Sequence, residues 1–183
     1  MAEVEKAIDA EVLTTVLARM ADEISARFGN APDLALVGIK QRGDLLAQRL
    51  STLLATRLGR AFPVGSLDIT LYRDDFESLS EQPVVGQTDI DFAIAGRTVI
   101  LVDDVLFTGR TVRAALDELA DLGRPARVVL AVLIDRGGRE LPITADVVGH
   151  TLAVEPGGQV QVLLGELDGR DAVLLHRPRE AGA

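Results

Sequence analysis

Apolar residues along this chain alternate between two rhythms. Between Glu11 and Phe28 they recur at helical spacing, as Leu13, Val16, Leu17, Met20, Ile24 and Phe28, with Arg19, Asp22, Glu23 and Arg27 between them. Gly29-Asn30 and Pro32 end that helix. Leu34 to Ile39 is an unbroken apolar run and reads as a buried strand. A polar turn, Lys40-Gln41-Arg42-Gly43, leads to a second helix from Asp44 to about Leu58. Leu67 to Tyr72 alternates as a further strand. The pattern then lapses from Arg73 to Asp91, a polar stretch with Pro83 and Gly86. It reads as a long mobile loop, in which Val84-Val85 can add a hairpin strand.

The rhythm resumes at Val99 to Val102, a short β-branched strand that ends in two carboxylates, Asp103 and Asp104. A turn of small residues, Thr108-Gly109-Arg110-Thr111, opens a helix from Arg110 to Leu122. Its spacing puts Val112, Ala115, Leu116 and Leu119 inward, and Arg113, Asp117, Glu118 and Asp121 toward water. Arg127 to Ile134 is the most apolar strand and is placed centrally. A polar turn follows at Asp135 to Glu140, then a short strand at Val147-Val148. Residues 151–176 read as small strands with turns at 156–158 and 168–170, and 177–183 as a frayed end.

Strand and helix alternate with no repeat or linker. The class is therefore α/β with a mainly parallel sheet, as a single domain over 1–183. Right-handed crossovers bring the turns at 40–43, 103–111 and 135–139 to one sheet edge, where such folds bind ligands.

Composition narrows the chemistry. The absence of cysteine excludes disulfides and thiol nucleophiles, and two histidines leave little for a histidine metal site. No apolar run approaches membrane-spanning length, so the expected compartment is the cytoplasm, with no membrane partner. A net charge of −9 gives no general attraction to nucleic acid, and five Phe with one Tyr supply few stacking platforms.

At 99–111 the uncapped amides of a helix start suit a phosphate, and the two carboxylates suit sugar hydroxyls. Asp-Asp alone favours a strand followed by an acidic helix cap; VILVDD followed by TGRT is much more specific. Neither GxxxxGK[ST] nor GxGxxG occurs. The pattern points to a phosphorylated sugar.

These residues resemble the 5-phosphoribosyl-1-pyrophosphate motif of type I phosphoribosyltransferases. More closely, the chain resembles the bifunctional pyrimidine operon regulators that are also uracil phosphoribosyltransferases. The matching stretches are VGIKQRGDLLAQRL (37–50), DITLYRDD (68–75), VILVDDVLFTGRTVRAALD (99–117), GRP (123–125) and DRGGRELPI (135–143).

The resemblance implies the type I phosphoribosyltransferase fold, with a mobile loop at about 73–91 and a small hood of about 144–176 plus the N-terminal segment. It implies that uracil and 5-phosphoribosyl-1-pyrophosphate give UMP and pyrophosphate with Mg²⁺, held mainly by substrate oxygens near Asp103 and Asp104. It also implies binding of pyrimidine operon leader RNA under control of UMP or UTP, and a homodimer or larger homo-oligomer. The alternatives are an RNA-binding regulator with vestigial catalysis, or a phosphoribosyltransferase for another base.

By resemblance Lys40, Gln41 and Arg42 hold pyrophosphate, joined by Arg73. Asp103, Asp104, Val105, Leu106, Phe107, Thr108, Gly109, Arg110 and Thr111 take the ribose phosphate. Arg136 meets the nucleotide, and the backbone near Val160 meets the base. Arg19, Arg27 and Arg139 are the RNA candidates. Gly138 stands where relatives commonly have histidine, Thr144 where many have arginine, His150 where many have lysine, and Gln41 where many have threonine. Fewer cations imply a weaker, less salt-sensitive RNA complex.

Overall fold

Six buried residues in a row, Leu34–Ile39, can be strand only where both faces are covered, and that is how they are used. The computed structural model describes residues 4–69 and 87–177. Its elements are β1 (Val4–Ile8), α1 (Ala10–Phe28), β2 (Leu34–Ile39), α2 (Arg42–Leu58), β3 (Val64–Leu67), β4 (Thr98–Leu106), α3 (Arg110–Leu122), β5 (Arg127–Asp135), β6 (Val147–Thr151), β7 (Gln159–Leu163), α4 (Gly165–Asp168) and β8 (Ala172–His176).

Five strands make a sheet in the order β3-β2-β4-β5-β6, with every pair parallel. Helices α1 and α2 cover one face, where Leu13, Met20, Ile24, Leu46, Leu50 and Leu54 pack on Leu36, Ile100 and Val102. Helix α3 covers the other, with Val112, Ala115 and Leu119 on Val37, Leu101 and Val132. A smaller antiparallel sheet, β1-β8-β7, forms the hood and approaches the large sheet where β7 nears β4.

Strand order sets the site. From β2 the chain steps to β3 on one side, and from β4 it steps to β5 and β6 on the other. The order in which strands are added reverses between β2 and β4, so the loops leaving those two strands diverge and leave a crevice. Those loops are residues 40–41 and 107–109.

Several expectations change. Helix α2 begins at Arg42 rather than Asp44, so Arg42 and Gly43 form its first turn. The strand expected at 67–72 is β3 at 64–67, where it matches the register of β2; 70–86 lie outside the described residues. Strand β4 runs on to Leu106, so Asp103 and Asp104 are inside it, because β5 continues to pair as far as Asp135. The middle strand is β4, and β5 lies one place out.

On α3, Leu116 is 38% exposed while Glu118 is buried at 5%. The Thr88 hydroxyl donates to Glu118, and that contact holds the carboxylate inward. Burial raises the Glu118 pKa above the usual carboxylate range. The hood boundary also moves, since β6 belongs to the large sheet. Of the expected loop, 87–91 are held: Asp89 bridges to Ser66, and Lys40 donates to the Gln87 carbonyl at 2.6 Å.

Candidate functional site at the sheet switch point

Gly43 decides how close the two sides of the crevice come. A Cβ there would meet the Val102 carbonyl oxygen at 2.5 Å and the Asp103 Cα at 3.2 Å. The bare glycine lets the first turn of α2 rest on the backbone of β4 beside the acidic pair. Among the described residues the cap residues Gln41 and Gly109 make no side-chain capping bond, and on α3 the Thr108 hydroxyl accepts only the Arg110 amide, at 3.3 Å. Two helix starts, with first-turn amides beyond Arg110 left over, therefore flank the carboxylates, an arrangement that attracts anions.

Asp103 is fully enclosed, and its Oδ1 accepts the Asp104 amide at 2.9 Å. Asp104 is half-buried and accepts the Val105 amide at 2.8 Å. Burial, then the neighbouring Asp104 charge, pushes the Asp103 carboxyl well above its ordinary range. Burial also raises Asp104, opposed by the Val105 amide and the nearby Arg42 charge.

A buried carboxyl with a raised pKa holds its proton more tightly folded than unfolded. Stability therefore falls as pH rises above the unfolded value of 3.8, and the loss is complete above the raised folded value. Asp103→Asn keeps the Oδ1 acceptor and removes this cost. Its melting temperature should exceed that of the parent by several degrees at pH 8, with the gap closing near pH 4. Thermal melts across that range check this; a gap that ignores pH would assign the effect to packing instead.

Arg42 reaches from α2 toward the hood, and its Nη2 donates to Asp168 at 3.0 and 3.3 Å. Lys40 is half-buried and Gln41 exposed. On the other wall, the 135–143 turn is clipped to the loop after β4. The Glu140 and Leu141 amides both donate to the Thr108 carbonyl at 3.0 Å, and Arg110 pairs with Glu140 at 2.8 Å. Arg136 stacks on the exposed Phe107 ring at 3.9 Å, and its shielded Nε has no acceptor among the described residues. Gly138 has φ +75°, and a Cβ there would strike that ring at 2.5 Å.

The sheet edge thus gathers an anion-attracting helix pair, a tethered arginine, an acidic pair and an aromatic–guanidinium wall. Comparison with known proteins agrees. The Phosphoribosyl transferase domain family matches residues 7–161. Bifunctional protein PyrR of Desulfosudis oleivorans is 54% identical over 172 residues, covering 93% of this chain and 95% of that one. The chain belongs to the PyrR family of phosphoribosyltransferases.

Bifunctional protein PyrR of Chloroflexus aurantiacus is also 54% identical, covering 93% of each chain. The hypoxanthine phosphoribosyltransferase of Trypanosoma cruzi superposes with a TM-score of 0.71 at 19% identity, covering 97% of this chain and 98% of that one, and at that identity shares the fold.

Within this PyrR-family chain, the structure brings together residues 40–43, 103–111 and 135–141. Arg73 lies outside the described residues. Val160, on β7, packs against the core shared by α1 and α2.

The three RNA candidates all spend bonds on the fold. Arg19 donates to the Val148 and Gly149 carbonyls. Arg27 pairs with Glu23 at 2.6 Å and also donates to the Asp146 carbonyl. Arg139 pairs with Asp135 at 2.6 Å and donates to the Phe107 carbonyl at 3.0 Å. Thr144 and His150 are exposed.

Sequence reading missed the hood partners. Asp168 is 126 positions from Arg42, and no local pattern links them. Among the described residues no helix is long and apolar enough to cross a membrane.

Proposed function

We infer that the protein transfers the 5-phosphoribosyl group from 5-phosphoribosyl-1-pyrophosphate to uracil, giving UMP and pyrophosphate, and that it regulates pyrimidine genes by binding leader RNA. The observation that carries the enzymatic half is the convergence of the α2 and α3 N-termini and the Asp103–Asp104 pair on the β2/β4 crevice. The regulatory half rests on membership of the PyrR family.

In this reading the α3 start and Thr108 to Thr111 hold the 5-phosphate. Lys40, Gln41 and Arg42 at the start of α2 hold pyrophosphate, joined by Arg73. As pyrophosphate leaves, positive charge develops on the ribose ring. Asp104 offsets that charge and orients the hydroxyls, with Asp103 behind it. Arg136 and Phe107 wall the base, whose N1 must lie in line with the leaving group.

Mg²⁺ would screen the pyrophosphate charge when bound. Among the described residues no cluster of three or more acidic, histidine or cysteine side chains forms a cage. This donor set fits an ion held chiefly by substrate phosphates and water, with Asp103 and Asp104 nearby. Self-association belongs to the same proposal, and exposed Leu116 and Leu122 on α3 offer apolar surface for it. So does a cytoplasmic location.

The test is a base panel. Labelled uracil should be converted and hypoxanthine should not; conversion of hypoxanthine alone would move the protein to another base. For the regulatory half, UMP or UTP should tighten binding of pyrimidine leader RNA in gel shifts across a salt series. Binding that ignores nucleotide and matches an unrelated RNA would remove that half.

A further inference from the structure

Helix α2 carries two arginines on one face, seven residues apart, and both are clamped by the hood. Arg49 pairs with Glu166 at 2.5 Å and with Asp171 at 2.7 Å. Arg42 pairs with Asp168. The two contacts differ in what they can do. Arg49 lies in the third turn, away from the crevice, so its ion pairs only fasten hood to core. Arg42 lies in the first turn, where its charge reaches Asp104.

Asp168 is itself immobilised. The Leu164 amide donates to its Oδ2 at 2.8 Å, and its own amide donates to the Leu164 carbonyl at 2.7 Å. The carboxylate is therefore a fixed post rather than a mobile counter-ion. It engages one guanidinium nitrogen, Nη2, through both oxygens. Packing shields Nε, which has no acceptor among the described residues. Together these hold the plane of Arg42, and Nη1, which has no partner among the described residues, is left for an incoming anion.

We propose that Asp168 is a positioning residue for pyrophosphate: through its ion pair it sets Arg42 in the orientation that receives the leaving group, and so makes the hood part of the pyrophosphate site. This rests on the reading of Arg42 as a pyrophosphate ligand. Arginine has several rotatable bonds, and ordering such a side chain on binding lowers affinity by roughly two- to tenfold. Asp168 has that ordering done in advance. A competing pull on Arg42 is the opposite possibility, and it has the opposite sign in every measurement below.

The experiment compares Asp168→Asn, Asp168→Glu and Glu166→Gln in the full-length protein. Calorimetry with inorganic pyrophosphate and Mg²⁺ is run beside steady-state kinetics. Asp168→Asn should weaken pyrophosphate binding and raise the KM for 5-phosphoribosyl-1-pyrophosphate by about five- to tenfold, with the KM for uracil little changed. Asp168→Glu should restore part of the loss. Glu166→Gln loosens only the other clamp and should leave both quantities near the parent's.

The proposal is overturned if Asp168→Asn binds pyrophosphate as well as the parent or more tightly, or if Glu166→Gln gives the same loss, since that would assign the effect to hood attachment in general. Pyrophosphate binding needs no turnover. A parent protein that makes no UMP but binds pyrophosphate in an Asp168-dependent way would reject the base assignment and keep this one.

Discussion

Asp104→Asn is expected to lower UMP formation by about 10²-fold or more while the protein stays folded. The carboxylate is half-buried beside the crevice and is the member of the pair that feels the Arg42 charge. Asparagine keeps its size and its Oδ1 acceptor for the Val105 amide, so the backbone of β4 is preserved. What is lost is negative charge where the ribose becomes positive. The loss should fall on kcat, because the charge matters most in the transition state. Steady-state kinetics and a thermal melt check this together. A collapse in melting temperature would mean that the carboxylate serves the fold instead.

The second large effect is expected at Gly43. Helix propensity alone predicts that Gly43→Ala stabilises α2 by about 1 kcal/mol. The structure predicts the reverse. The new methyl would sit 2.5 Å from the Val102 carbonyl oxygen, and that neighbour is backbone of the middle strand, which cannot yield cheaply. Overpacking of this kind costs about 1–3 kcal/mol, which outweighs the propensity gain. For a chain of this size that lowers the melting temperature by about 2–4 °C per kcal/mol. Pushing α2 away also carries Arg42 and the open helix amides off the crevice, so the KM for 5-phosphoribosyl-1-pyrophosphate should rise with it. Calorimetric melts and kinetics read both effects; an alanine variant that melts higher with normal KM would show that α2 is free to shift.

The three long helices were legible because their buried residues recur in register, and α3 begins and ends where its sequence suggested. The acidic pair was also legible as a motif. Its place within β4 was not, since a strand ending in two carboxylates looks finished at Val102; only pairing with β5 carries it to Leu106. Leu116 and Glu118 exchanged roles on α3 because the decisive partner of Glu118, Thr88, lies 30 positions away. The hood tether of Arg42 was beyond local reading for the same reason, with Asp168 further still along the chain. Gly43 was visible only as a turn glycine, and its contact with Val102 exists only once β2 and β4 are neighbours. Motifs reveal which groups bind ligands, whereas long-range contacts decide how those groups are held.

The central claim is phosphoribosyl transfer to uracil at the β2/β4 crevice. Its most direct measurement incubates the purified protein with labelled uracil, 5-phosphoribosyl-1-pyrophosphate and Mg²⁺, and follows UMP and pyrophosphate together. The account predicts that the two appear in equal amounts over many turnovers. Absence of UMP above background, or pyrophosphate released without UMP, would contradict it.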